Sequence, residues 1–552
     1  MSCVRIAPGA LFSVSVMPKK NRKRKQVGAV YLVGAGPGDP QLMTIRGQRL
    51  LARADAVVID RLVSRDVLGV CRSDVVIFDV GKAAGGQGAS QGSINRLLIR
   101  LAKNGRRVVR LKGGDPLLFG RGAEEALALA SACIPFEIVP GVTSALAAPA
   151  AAGIPLTHRA FASTVGILTG HEDPRKGGGL IQWTALVRGC DTLVCLMAVQ
   201  TLPALTQRLI GSGRGADTPA AVIERGTWPA QRTVTATLGD IAQKAQAAQI
   251  QPPAILVVGE VVRLREHLSW FEHRPLWGTR ILVTRAAEKS NLLAECLQDL
   301  GAEVERLPAI ELAPMPRAAR FTQVVQRLPQ TDWVCFTSPE GIAWLAYTLR
   351  LYRKDLRSLA GCHIAAIGIK TAESIEARGL HVDFVPKRFS QEGVLDDWPK
   401  GRRRGKRAMI FCAEQSRDVL ADGLRERGLS VEKVPIYRTR VPASLPAAVK
   451  RVFERPMDYV TVTSASCVEH LYRSLAAAGL GRQFRALAFA SIGPVTSETV
   501  RRHGGNVAVE ARESTIEDLA ATLAAKHAEA AQRTAPRESF ESFSLAVREE
   551  GE

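Results

Sequence analysis

The sequence predicts an α/β protein made of several sheets, and three observations carry that prediction. Through the first half, short Val- and Ile-rich runs end in glycine-rich or polar turns and give way to helical stretches. In the second half, a block repeats at a spacing of 125 residues (Gly368 and Gly493), and each copy alternates strands with helices. A length of 552 residues is too much for one core and suggests about three or four domains.

Composition narrows the function. Hydrophobic residues at 46% and charged residues at 23% are those of a globular chain, but the formal net charge of +21 is high. Two basic runs, 19–25 and 400–407, read as solvated segments. The remaining surplus suits an anionic partner, and a polycarboxylate fits better than nucleic acid because no nucleic-acid-binding motif accompanies the charge. Ten cysteines stand singly, without a C-x-x-C pair, which argues against a metal site or a disulfide framework. The apolar run at 11–17 precedes the basic cluster, the reverse of a secretory signal. No run reaches the ~20 apolar residues of a membrane span, so a cytoplasmic protein with no membrane partner is expected. The expected segments are a disordered basic tail (1–26), a first module (27–272), a duplicated module (275–524) and a disordered polar tail (525–552).

The first module opens with AVYLVGAGPGDP, a strand followed by Gly34, Gly36 and Gly38. The spacing is G-x-G-x-G where a dinucleotide fingerprint needs G-x-G-x-x-G, although Asp60 lies at the distance such a site expects of its acid. An NAD-dependent oxidoreductase therefore stays as a rival reading. A helix over 42–54 leads to a second strand ending at Asp60, and a third strand ends at Lys82. Carboxylate and amine both fall at strand ends, where open α/β sheets place ligands, though a surface ion pair explains them equally well. RLKGGDPLLFGRGAEE (110–125) is the centre of the module. Gly113 and Gly114 strip side chains from a strand-to-helix turn, Asp115 sets a carboxylate beside them, and Pro116 stiffens the exit. After a turn at Pro140-Gly141, Thr143 and Ser144 offer hydroxyls at the start of an alanine-rich helix. His158 and His171 are isolated and read as structural.

GAGPGDP, AVVIDRLV, VVRLKGGDPLLFGRG, VPGVTSALAAPAAAGIPLTHR, TPAAVIERGT and PAILVVGEVV, in that order, resemble the successive motifs of uroporphyrinogen-III C-methyltransferase, of the tetrapyrrole methylase family. The resemblance implies a two-domain tetrapyrrole methylase fold, usually a homodimer, with S-adenosylmethionine as methyl donor and no metal. It also implies methylation of uroporphyrinogen III at C2 and C7 to precorrin-2. By the same resemblance Pro37, Gly113, Gly114, Asp115, Leu118, Thr143, Ser144, Met197 and Gly226 line the cofactor site. Asp60 is then the proton acceptor and Lys82 the proton donor. Ile59 and the CLMAV segment around Met197 depart from the family pattern.

In the second module, DWVCFTS (332–338) parallels DYVTVTS (458–464), and IAAIGIKT (364–371) parallels FASIGPVT (489–496). Polar residues close apolar strands at matching positions in both copies, where hydroxyls and helix N-termini can hold carboxylates as well as cap the helices. With VPIYRT (434–439) and STIEDLA (514–520), the pattern resembles uroporphyrinogen-III synthase. That implies a two-lobed parallel α/β module that cyclises hydroxymethylbilane without a cofactor. The resemblance offers Tyr437 as an acid assisting loss of the substrate hydroxyl, and Thr371, Ser464 and Thr496 as substrate-binding residues. A non-catalytic two-lobed binding module is the alternative for this half.

Overall fold

The computed structural model describes residues 27–72, 74–81, 89–170, 181–286, 290–315, 319–399 and 406–534. The chain divides into two compact units, Met1–His273 and Arg274–Glu552.

In the first unit, β1 (Val30–Gly34), β2 (Ala56–Ile59), β3 (Val76–Asp79), β4 (Val108–Lys112) and β5 (Phe136–Val139) form a sheet in the order β3-β2-β4-β1-β5. Every pairing in it is parallel. Parallel neighbours need crossover connections, which here include the helices Gln91–Lys103 and Gly122–Ser131. Strands β2 and β4 are buried along their whole length, which β2 meets with an unbroken apolar run and β4 with apolar residues around the buried cations Arg110 and Lys112. The helix expected over 42–54 is shorter, spanning Ile45–Leu51, because Thr44 caps it by accepting a hydrogen bond from the Gly47 N–H at 3.2 Å.

The unit's second sheet contains β6 (Val165–Thr169), β7 (Thr192–Leu196), β8 (Pro219–Glu224), β9 (Arg232–Thr237) and β10 (Ala254–Val258), in the order β6-β7-β10-β8-β9. Only β6 and β7 run parallel; the other pairings are antiparallel. The Ser144–Ala151 helix lies on this sheet, its Ala145 and Ala148 sharing a core with Val194, Ala221, Ile223 and Val257.

The second unit carries β11 (Arg280–Val283), β12 (Glu303–Arg306), β13 (Glu311–Pro314), β14 (Trp333–Phe336), β15 (His363–Ala366), β16 (Arg407–Ala413), β17 (Ser430–Arg440), β18 (Tyr459–Val462), β19 (Ala488–Ser491) and β20 (Asn506–Glu510). They form one sheet in the order β12-β11-β18-β19-β20 and another in the order β13-β17-β16-β14-β15. All pairings are parallel except β13 on β17. The second sheet is thus inserted between β12 and β18 of the first. Ladder register reproduces the duplication, since Ile281 pairs with Tyr459 as Ala408 pairs with Trp333. The last helix, Ile516–Thr534, packs Leu519, Ala520 and Leu523 onto Ile281 and Val283. It runs past residue 524, where the sequence placed the module's end. Among the described residues, no helix is long and apolar enough to cross a membrane.

Candidate active sites

In the first unit, the loops at the carboxyl ends of β1, β4 and β5 meet through their main chains. The Gly114 N–H donates to the Gly36 carbonyl at 2.7 Å. A Cβ on Gly34 would lie 2.5 Å from Gly141 Cα and 2.6 Å from the Gly114 carbonyl oxygen, so this approach requires glycine. Asp115 holds the turn together: its Oδ1 accepts from the Leu117 and Leu118 N–H groups at 2.8 and 3.2 Å, and its Oδ2 from Gly141 at 3.1 Å. Residues 113–115 are nevertheless half-buried, and a Cβ on Gly113 would meet only Leu62, at 3.3 Å. Bare main chain is therefore reachable from solvent, as a cradle for a sulfonium nucleoside requires.

Loops from the second sheet close on the same place. Trp228 Nε1 donates to the Pro37 carbonyl at 3.2 Å, and Thr227 Oγ1 accepts from the Asp39 N–H at 3.3 Å. Gly226 packs so tightly that a Cβ there would sit 2.2 Å from Ala148 Cβ. Leu118 joins the core of the Ser144–Ala151 helix, and Thr143 caps that helix, its Oγ1 accepting from Ala145 at 3.3 Å. Met197 stands on a separate loop after β7, 51% exposed. Non-glycine residues with left-handed backbone concentrate in these loops: Phe119, Arg121, Met197, Arg225 and Thr227. For β-branched Thr227, at φ 72°, that is a strained conformation of the kind functional loops retain.

Beside the glycine turn, Asp60 ends β2, its side chain 31% exposed. Arg110 Nη2 donates to Asp60 Oδ1 at 2.6 Å, and Lys112 Nζ lies 3.9 Å from Asp60 Oδ2. Both cations also reach the fully buried Glu125, at 3.1 Å from Arg110 Nε and 3.2 Å from Lys112 Nζ. Burial, with Arg110 nearby, lowers the Lys112 pKa against the opposing pull of Glu125 and Asp60. Only Asp60 of this quartet opens to solvent, so it alone can exchange a proton with a ligand. Arg110, Lys112 and Glu125 were not singled out as site residues. Their signal was two cations two residues apart, hence on one face of a strand whose neighbours are all apolar. Lys82 lies outside the described residues.

In the second unit, the candidates fall on two sheets. Tyr437 is on β17, buried, its hydroxyl 3.0 Å from Ser338 Oγ. Burial pushes its pKa up, so the phenol keeps its proton at neutral pH. Ser338 and Ser464 cap equivalent helices, accepting from the Gly341 and Cys467 N–H groups at 3.3 Å each. Thr371 and Thr496 sit in the first turns of the Ile369–Glu376 and Pro494–Arg502 helices, both buried. Thr371 and Tyr437 belong with the inserted sheet, and Ser464 and Thr496 with the outer one. Among the described residues, no group of His, Cys, Asp and Glu could hold a metal ion.

Comparison with known proteins matches residues 29–242 to the tetrapyrrole (corrin/porphyrin) methylases and residues 291–521 to uroporphyrinogen-III synthase HemD. The chain is 39% identical over 494 residues to the porphyrin biosynthesis protein HemD of Ruminiclostridium josui, covering 89% of this chain and 97% of that protein. It belongs to both families, methylase first and synthase second. The uroporphyrinogen-III C-methyltransferase of Bacillus subtilis is 40% identical over 358 residues, 65% of this chain and 73% of that one. A solved uroporphyrin-III C-methyltransferase from Thermus thermophilus, complexed with S-adenosylhomocysteine, is 42% identical, with a TM-score of 0.38. That match covers 43% of this methylase–synthase chain and 100% of the solved one.

Proposed function

We infer that the chain is a bifunctional enzyme of tetrapyrrole biosynthesis. Its second unit cyclises hydroxymethylbilane to uroporphyrinogen III, and its first methylates that product at C2 and C7, giving precorrin-2. The observation that carries this reading is the pairing of the two families in one chain, the product of one being the substrate of the other. The products lead toward siroheme or cobalamin in the cytoplasm, and the methylase unit is the expected dimer surface.

S-adenosylmethionine supplies an already activated methyl group on its sulfonium. The main chain at 113–115 and the loops bearing Pro37, Leu118, Thr143, Ser144, Met197 and Gly226 hold and orient it, so that positioning lowers the barrier. Asp60 takes the proton that the methylated ring must lose, and the Arg110 hydrogen bond holds its carboxylate in place until then. Lys82 is the corresponding proton donor. In the synthase unit, Tyr437 donates a hydrogen bond to the departing hydroxyl, while the loops of Thr371, Ser464 and Thr496 receive carboxylates.

Incubating the full-length chain with hydroxymethylbilane and S-adenosylmethionine is expected to yield precorrin-2. Formation of only the spontaneous type-I isomer would remove the synthase assignment. Supplied uroporphyrinogen III left unmethylated in the presence of S-adenosylmethionine would remove the other.

A further inference from the structure

Two arginines on one strand of the outer sheet behave in opposite ways. Arg280, at the start of β11, is buried and anchored by the fold: its Nη1 donates to the Val452 and Arg455 carbonyls at 3.2 and 3.1 Å, and its Nη2 to Glu305 at 3.2 Å. It is a structural arginine. Arg285, two residues past the end of the same strand, is half-buried and has no hydrogen bond or ion pair among the described residues. Burial lowers its pKa, and the Glu517 carboxylate opposes that shift.

Its place in the sheet shows where the free guanidinium sits. Val283 pairs with Thr461 in the parallel β11–β18 ladder, so two residues further on Arg285 stands at the level of Thr463. It therefore shares the carboxyl edge of the sheet with the Thr463-Ser464 loop, and with the Gly493 turn that follows β19. The fold does not need a cation there. In the inserted sheet the corresponding strand is β16, and the register that matches Ile281 to Ala408 matches Arg285 to Cys412, an uncharged and fully buried residue. Cations near that second strand end are occupied, Lys433 by Asp418 at 2.7 Å and Arg417 by Glu392 at 2.8 Å.

A partly desolvated guanidinium without an acceptor costs stability, and an incoming carboxylate would offset that cost with a charge-assisted hydrogen bond. We propose that Arg285 is a substrate-binding residue of the synthase unit, taking one carboxylate of the tetrapyrrole at the carboxyl end of β11. This rests on the synthase reading above, and names a contact that neither the repeat nor the hydroxyl loops provide.

The test uses full-length Arg285→Gln and Arg285→Lys, with three readouts: KM and kcat for cyclisation, competitive inhibition of cyclisation by uroporphyrin III, and thermal unfolding without ligand. Losing a hydrogen bond to a charged group should raise KM and the inhibition constant about ten- to a hundredfold in Arg285→Gln. The rise in KM should exceed any fall in kcat, Arg285→Lys should recover part of the loss, and unliganded unfolding temperature should not fall. Unchanged KM and inhibition constant, or a lowered unfolding temperature that alone accounts for the loss, would overturn the assignment. Methylation of supplied uroporphyrinogen III by the same samples verifies that the chain is intact. A wild-type chain that cannot cyclise hydroxymethylbilane sinks the synthase reading as a whole, whereas a cyclising wild type with an unaffected Arg285→Gln sinks the arginine alone.

Discussion

At the scale of single residues, the candidate site in the first unit is a carboxylate held at the rim of a buried charge network. Asp60→Ala should lower methyl transfer by about a hundred- to ten-thousandfold, the range for losing a positioned acid or base, and leave cyclisation unchanged. Separate assays of the two steps check this, and undiminished methylation would remove Asp60 from its role. Glu125→Gln should act through stability, because it leaves Arg110 and Lys112 as buried cations short of a counter-charge. Breaking such a set costs about 3–5 kcal/mol, which calorimetry of the full chain would show as an earlier transition of the first unit. Asp60 was legible in the sequence because it ends an apolar run. The cations behind it were not: a lone Arg or Lys usually marks a solvent-facing position, and only the closed sheet shows that Arg110 and Lys112 are sealed beneath the turn. Asp115 was legible as a carboxylate beside the glycines, and its three N–H partners make it the brace of the turn.

At the scale of elements, glycine and alanine set how closely loops approach helices. Gly226→Ala would drive a methyl into Ala148 on the Ser144–Ala151 helix. Overpacking of that kind costs about 1–3 kcal/mol, and it should also weaken S-adenosylmethionine binding, measurable by isothermal titration. Binding and stability equal to wild type would show that the loop relaxes freely. The strands were readable because β1, β2 and β4 are Val-containing runs that close on Gly34, on Asp60 just past Ile59, and on Lys112. The order of the second sheet was not, since antiparallel pairing of β7, β10 and β8 depends on which buried strands meet across the core, and their sequences are alike in apolar character. The repeat was legible because Gly301 and Gly428 each end a helix with left-handed φ, at 102° and 86°.

At the scale of the molecule, each unit carries a buried thiol whose pKa is pushed up to about 12, Cys195 in the first and Cys335 in the second. An unfolded cysteine ionises near 9, so between 9 and 12 the folded chain holds protons that the unfolded chain has lost, and stability falls as pH rises. Denaturant midpoints of both units should drop across that window, and Cys195→Ala should flatten the drop for the first unit only. A midpoint independent of pH there would mean that the thiols ionise in place. Association with octacarboxylate substrates should also slow as salt rises, given a net charge of +21. The insertion of one sheet into the other in the second unit has a further consequence. The polypeptide passes between the two sheets twice, and the outgoing and returning segments pair as β13 and β17, with Glu311 opposite Arg440 and Pro314 opposite Tyr437. A protease that nicks one passage leaves the halves tethered by the other, so separation demands two cuts. Any flexing must bend both segments in concert, as a door turns on paired pins.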